Sequence, residues 1–199
     1  MEIKNIVAFT EFLGKMSAIK RTVKLKATND FENDAEHSFQ VALVSWYIAD
    51  ALKIPVNMER LLAYALVHDL VEIHAGDTDP FKGSKEYVDL KEAREKEALK
   101  TIRDSFPLFP SLPATIEGYE ALADEESAIV HFVDKMLPDI NTWLANDPYY
   151  RDNKVTYEAW RKWIDGKIEK AGIKDERMKT LVNDFLIHAK EKTDFFLPL

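Results

Sequence analysis

The chain has 199 residues, 46% hydrophobic and 31% charged, with a formal charge of −8 and no cysteine. That length supports a single domain, residues 1–199, with a sizeable core, while the acidic balance argues against a nucleic-acid polymer as partner, since phosphate backbones are bound by surplus Lys and Arg. Without Cys there are no disulfides, thiolate metal sites or Cys nucleophiles, which fits a reducing cytoplasm. Only 6 Gly and 8 Pro leave room for long helices. No run of about 18 apolar residues is present to span a bilayer, and Glu2 and Lys4 interrupt what a signal peptide needs to keep apolar.

Ile3 to Lys20 reads as a first helix, its stripe formed by Ile6, Val7, Phe9, Phe12, Leu13 and Met16. Arg21 to Glu32 reads as a basic, irregular connector. Asn33 followed by Glu36 resembles a capping arrangement and predicts a second helix from Asp34 to Lys53 that buries Phe39, Ala42, Leu43, Trp46 and Ala49, with His37 in its first turn. After Pro55 a third helix is expected from Met58 to His74, with Leu62, Ala65, Leu66, Leu70 and Val71 as core. It ends at Gly76-Asp77-Thr78-Asp79-Pro80.

Lys85 to Ser105 is a charged, exposed helix with pairs such as Glu92–Lys96. A short helix at 114–123 leads into a long one from Asp124 to Leu144, whose core face is Ile129, Val130, Val133, Leu137 and Ile140, with Asp134 beside it. Asn146 to Asn153 is a polar break, and helices over Tyr157–Ala171 and Lys174–Phe195 complete the chain. No strand is expected. The pattern is that of an all-α protein, a compact multi-helix bundle with a central metal cleft and helices 155–195 packed on it.

The chemistry sits in polar residues that this reading places on or near core faces. His37, His68, Asp69 and Asp134 supply two imidazoles and two carboxylates from three helices. Buried singly, such groups cost free energy unless paired or bound to a cation. Together they are a donor set for one divalent transition metal ion, Mn, Fe, Co, Ni or Zn, with positions left for water or substrate. His74 and His131 are candidates for a second ion, but His74 falls on a different face from His68, and one ion is the expectation.

The pattern Ala35-Glu36-His37-Ser38, His68-Asp69-Leu70-Val71-Glu72, Gly76-Asp77 and Asp134-Lys135 resembles the HD superfamily of metal-dependent phosphohydrolases, in particular the branch with the bacterial 5′-deoxynucleotidase and its eukaryotic HD-domain relatives. The likeness runs from about residue 13 to 144. It implies His37, His68, Asp69 and Asp134 as metal ligands, Glu72 as the acid that handles the attacking water or its proton, and Asp77 as a second acid near the leaving nucleoside oxygen and sugar. Arg21 matches the family's phosphate-contacting Arg only with one residue inserted between it and His37.

The activity so implied is hydrolysis of a deoxynucleoside 5′-monophosphate to deoxynucleoside and phosphate. An HD-type nucleoside triphosphate or phosphodiester hydrolase is the enzymatic alternative; the few basic residues near these motifs favour a single phosphate. A metal-stabilised helical module that binds a nucleotide or partner without turnover is the alternative of another class, and Glu72 and Asp77, which metal binding alone does not require, argue against it. Trp143, Trp160, Trp163, Tyr149, Tyr150 and Tyr157 are core or interface residues first and base-stacking candidates second. His188 reads as structural. The apolar end Phe195-Phe196-Leu197-Pro198-Leu199 is expected to tuck into a partner subunit of a homodimer.

Overall fold

In the computed structural model, residues 1–82, 86–87 and 90–198 are described; the expected helix start at Lys85 and the terminal Leu199 lie outside them. Helix α1 (Ile3–Gly14) ends earlier than its apolar pattern suggests. A 3₁₀ turn, Lys15–Ala18, leads into strand β1 (Lys20–Lys24), which pairs antiparallel with β2 (Phe31–Asn33). The segment expected to be an irregular connector is therefore a hairpin. Asn29, at φ 60°, closes its turn in the left-handed conformation that Asn tolerates, and its N–H donates to Leu25 C=O. Of the first helix's stripe, Phe12 and Met16 are buried, whereas Ile6, Val7 and Leu13 are exposed.

Helix α2 (Asp34–Ala51) starts as expected: the Asn33 side chain accepts from the Ala35 and Glu36 N–H groups, and Glu36 accepts from the Asn33 N–H. Its buried face differs. Val41, Ala42, Ser45, Ile48 and Ala49 go inward beside His37, while Phe39, Leu43 and Trp46, expected in the core, are exposed. The stripe rotates because His37 and Ser38 take the inward positions of the first turn, and residues one position away then point outward.

Helix α3 (Met58–Val67), capped by Asn57, packs along α2. Instead of running on to His74, it breaks after Val67 and resumes as α4 (Glu72–Ala75). In the break the backbone bonds shorten to a three-residue span, Leu70 N–H to Val67 C=O and Glu72 N–H to Asp69 C=O, and the His68 ring bonds the Ala65 carbonyl at 2.8 Å. Ala65, Leu70 and Val71 are buried as expected; Leu62 is half-buried and Leu66 exposed.

Helix α5 (Lys91–Ser105) is more than a solvated face: Ala98, Leu99 and Ile102 are buried, and its ion pair in the first turn is Lys91–Glu95. Helix α6 (Ser111–Glu120) precedes α7 (Glu125–Ala145), whose cap Asp124 accepts from Ser127 N–H. Ile129, Val130, Val133 and Leu137 form its core face and Ile140 is half-buried. The polar break after α7 contains a helical turn, α8 (Tyr149–Asp152), with both tyrosines buried. Helices α9 (Tyr157–Ala171) and α10 (Glu176–Lys190) and a 3₁₀ turn, Thr193–Phe195, follow.

The end of the chain corrects the expectation that it reaches a partner. Phe195 and Phe196 are buried in the chain's own core, with Phe196 4.7 Å from Tyr150 and 5.5 Å from Trp160 between ring centres. The Leu197 N–H donates to Val155 C=O. Two apolar clusters result. The larger joins α2, α3, α7, α9 and α10, and the smaller joins α1, α4, α5 and α6. Among the described residues no helix is long and apolar enough to cross a membrane.

Candidate metal centre

Three elements deliver the four proposed donors. His37 comes from the first turn of α2, His68 and Asp69 from the break after α3, and Asp134 from the middle of α7; all four are buried. His37 Nε2 lies 3.1 Å from Asp134 Oδ1 and 3.9 Å from Asp69 Oδ2, and His68 Nε2 lies 3.2 Å from Asp69 Oδ2 and 3.9 Å from Asp134 Oδ1. Two donors about 2.1 Å from a shared ion stand about 3.0 Å apart when adjacent and about 4.2 Å apart when opposite. The four separations fall within that range.

Tautomers fit as well. His68 Nδ1–H donates to the Ala65 carbonyl, which leaves Nε2 as a bare donor, buried and without a hydrogen-bond partner. Glu32 Oε2 lies 3.3 Å from His37 Nδ1, the carboxylate–imidazole arrangement that turns the other nitrogen toward a cation. These residues fit a divalent ion. Neighbours on a helix splay by about 100°, yet the side chains of His68 and Asp69 at the break turn toward each other, with His68 Nε2 3.2 Å from Asp69 Oδ2.

The surrounding charges set the carboxylates apart. Asp69, despite burial, is held below the usual carboxylate range by His68 and Arg21; Asp134 is likewise held down, chiefly by Lys135 and then His37. Burial pushes Glu72 well up, helped by Asp69 and Asp77, and burial raises Asp77 too. Asp34, which was not singled out in the sequence, is pushed up to about 7 by burial and by Asp69. With Asp69 and Glu72 it makes a second cluster of donors, but Arg21 Nη1 already bonds Asp69 at 2.9 Å and Asp34 at 3.3 Å. Among the described residues neither His74 nor His131 joins these clusters. His74 stacks on Phe12, and burial together with Lys135 keeps His131 neutral by lowering it to about 3.

An open cleft adjoins the donors and is continuous with solvent. Arg21, Glu72 and Asp77 line it, as do Lys91 and Lys135. Lys91 Nζ is 3.7 Å from Glu72 Oε1 and Lys135 Nζ 2.6 Å from Asp134 Oδ2. The site is thus richer in cations than its motifs suggest. Lys91 is the residue that sequence reading missed, because it sits in a charged helix with no motif around it. Lys135 was within the quoted Asp134-Lys135 pair without a role. At the far end Phe81, Tyr149 and Trp163 line the wall, with Phe81 and Trp163 ring centres 5.3 Å apart. Tyr149 donates to Asp79 at 2.6 Å. Trp143, Trp160 and Tyr157 pack in or against the core instead, and His188 stands edge-on to Trp143.

The profile of the HD domain matches residues 13–175. The chain belongs to the HD-domain family. The match reaches past residue 144, where the motif resemblance stopped, and includes α9. Human 5′-deoxynucleotidase HDDC2 is 27% identical over 135 residues, covering 66% of this chain and 64% of that protein. The 5′-deoxynucleotidase hdd1 of Schizosaccharomyces pombe is 30% identical over 139 residues, 66% of this chain and 67% of the relative. The chain thus spans somewhat under two thirds of the length of the HDDC2 proteins it matches. Among solved structures, one described as a predicted metal-dependent phosphohydrolase from Magnetospirillum magnetotacticum superposes with a TM-score of 0.77 at 24% identity, over 98% of this chain and 96% of that one. An HD-domain phosphohydrolase from Listeria innocua gives 0.61 at 20%, over 95% and 93%. These two show the shared HD fold.

Proposed function

We propose that this HD-domain protein is a divalent-metal-dependent phosphohydrolase, a 5′-deoxynucleotidase that cleaves deoxynucleoside 5′-monophosphates to deoxynucleoside and inorganic phosphate. The observation that carries the reading is the convergence of His37, His68, Asp69 and Asp134 at separations suited to one ion, beside an open cleft lined by Arg21, Glu72, Asp77 and Lys91. The names of the HDDC2 and hdd1 relatives support the substrate class. We take residues 1–199 as one HD-type unit working in the cytoplasm, in keeping with the absence of Cys.

In this reading the four donors would hold one transition metal ion, which would supply positive charge and make water a stronger acid. Arg21 and Lys91 flank the phosphate and balance the charge it brings. Glu72, raised by burial, takes the proton of the attacking water as its oxygen bonds phosphorus and the bond to the 5′ oxygen breaks. Asp77 faces the sugar; the leaving 5′ oxygen takes a proton from water on that side, and Glu72 returns its own to solvent. Phe81 and Trp163 offer the base an aromatic wall.

A second reading has its own support. Lys91 and Lys135 add cations to the cleft, which favours a substrate with more than one phosphate, a nucleoside triphosphate. Purified protein assayed against nucleoside mono- and triphosphates, with Mn²⁺, Co²⁺, Mg²⁺ and Zn²⁺ supplied separately, separates the two. Phosphate released from deoxynucleoside monophosphates alone supports the first. Pyrophosphate or triphosphate release selects the second, and no turnover with any pair refutes both.

A further inference from the structure

Arg21 is pinned by carboxylates from three different elements. Its Nη1 meets Asp69 Oδ2 at 2.9 Å and Asp34 Oδ1 at 3.3 Å, while Nε faces Glu32 Oε2 at 3.5 Å. Nη2 bonds none of the three. The hairpin sets up the last contact: Lys20 pairs with Asn33, so Arg21 and Glu32 are the next residues along the two strands. The same Glu32 oxygen lies 3.3 Å from His37 Nδ1. Arg21 Nε, Glu32 Oε2 and His37 Nδ1 are all buried, and among the described residues none has a hydrogen bond elsewhere. The other oxygen, Oε1, accepts from Asn141 Nδ2 at 3.3 Å, and Asn141 also donates to Gln40 at 3.1 Å. A fully buried carboxylate such as Glu32 is costly unless cations and donors surround it, and here they come from both halves of the site.

We propose that Glu32 is a positioning residue shared by the metal and phosphate halves of the site: one carboxylate orients His37 through Nδ1 and the Arg21 arm through Nε. The role rests on the phosphohydrolase reading and goes beyond it, since Glu32 neither lines the cleft nor belongs to the donor set. Asp69 cannot fill this role alone. It too holds Arg21, but it is one of the four candidate donors, and an ion would draw on the same charge that the guanidinium uses. Glu32 is outside that competition, so its hold on Arg21 persists when an ion is bound. Asn141, about two helical turns beyond Asp134 on α7, keeps the carboxylate from swinging to either partner alone. Arg21 is thereby kept with Nη2 free for a phosphate while His37 keeps Nε2 toward the ion.

Glu32→Gln keeps the volume and removes the charge. Calorimetric titration of the metal-stripped chain with Co²⁺, and of the Co²⁺-saturated chain with inorganic phosphate, reads each half without turnover; far-ultraviolet circular dichroism is the fold control. Glu32→Gln is expected to bind Co²⁺ about 10- to 100-fold more weakly and phosphate about tenfold more weakly, with helix content unchanged. In an Arg21→Met background the same substitution is expected to cost its full loss of Co²⁺ affinity and no further phosphate affinity, a split that general destabilisation does not produce. Asn141→Leu, which frees Glu32 without removing it, is expected to show both losses at smaller size and serves where Glu32→Gln does not fold. Unchanged Co²⁺ affinity in Glu32→Gln or Asn141→Leu, or an equal phosphate loss with Arg21 already replaced, overturns the proposal. A wild-type chain that binds Co²⁺ and phosphate but hydrolyses no nucleotide refutes the proposed activity, and the two affinities still decide the role of Glu32.

Discussion

In the proposed site His68 and Asp69 carry the tightest demand on geometry, because two neighbouring residues must present donor atoms, 3.2 Å apart, to one ion. Removing either leaves three donors and an uncompensated buried charge. His68→Ala or Asp69→Ala is therefore expected to lose the bound metal, measured by elemental analysis after dialysis, and to drop hydrolysis to background, with helix content retained. Glu72 makes the opposite prediction. It stands outside the four-donor set, so Glu72→Gln should keep its metal while kcat falls by about 10²-fold or more and KM changes little. Metal loss in that variant would show that Glu72 belongs to the coordination sphere.

At the scale of elements, the turn after α4 aims Asp77. Gly76 has φ 77°, and a Cβ there would come within 3.2 Å of the Tyr87 hydroxyl. Gly76→Ala is expected to destabilise the fold by about 1 kcal/mol from backbone strain and to raise KM by moving Asp77; thermal melts and steady-state kinetics read the two effects. The junction of α7 with α8 and α9 contains a buried carboxyl. Asp139 is fully buried, accepts from Tyr150 Oη–H and Trp160 Nε1–H, and burial pushes it up to about 7 against those bonds. Its folded value lies above its unfolded 3.8, so the folded chain holds the proton more tightly. The stability this gives is complete below about pH 4 and is lost as pH rises through 7, by at most about 1.4 kcal/mol for each pH unit crossed. Asp139→Asn cannot ionise. Its melting temperature relative to wild type is expected to climb between pH 5 and 8, and a flat difference would contradict the burial argument.

For the molecule as a whole, the four candidate donors lie on α2, the α3–α4 break and α7, so a bound ion would tie these elements together. An ion that binds only the folded chain at 100 times its dissociation constant stabilises it by about 2.7 kcal/mol. For a chain of this size that corresponds to a rise of about 5–10 °C in Tm. Calorimetry with Mn²⁺ or Co²⁺ should show the rise in wild type and its absence in Asp69→Ala.

Much of this was legible before folding was considered. Helix periodicity, the Asn33 cap and the Asp124 start depend on neighbours in the chain, and the residues of α9 declare themselves by spacing alone. The donor types at 37, 68, 69 and 134 also follow from sequence, because buried imidazoles and carboxylates need a cation. Packing decided the rest. Whether Phe39, Leu43 and Trp46 point inward depends on which side of α2 meets α3 and α7, and a helix with two apolar sides gives no local answer. The burial of Phe196 beneath α9 and the approach of Lys91 to Glu72 join residues far apart in sequence. Local propensity determined the elements and the chemistry they carry; long-range contacts determined which face each element hides, since only they exclude water from one side and not the other.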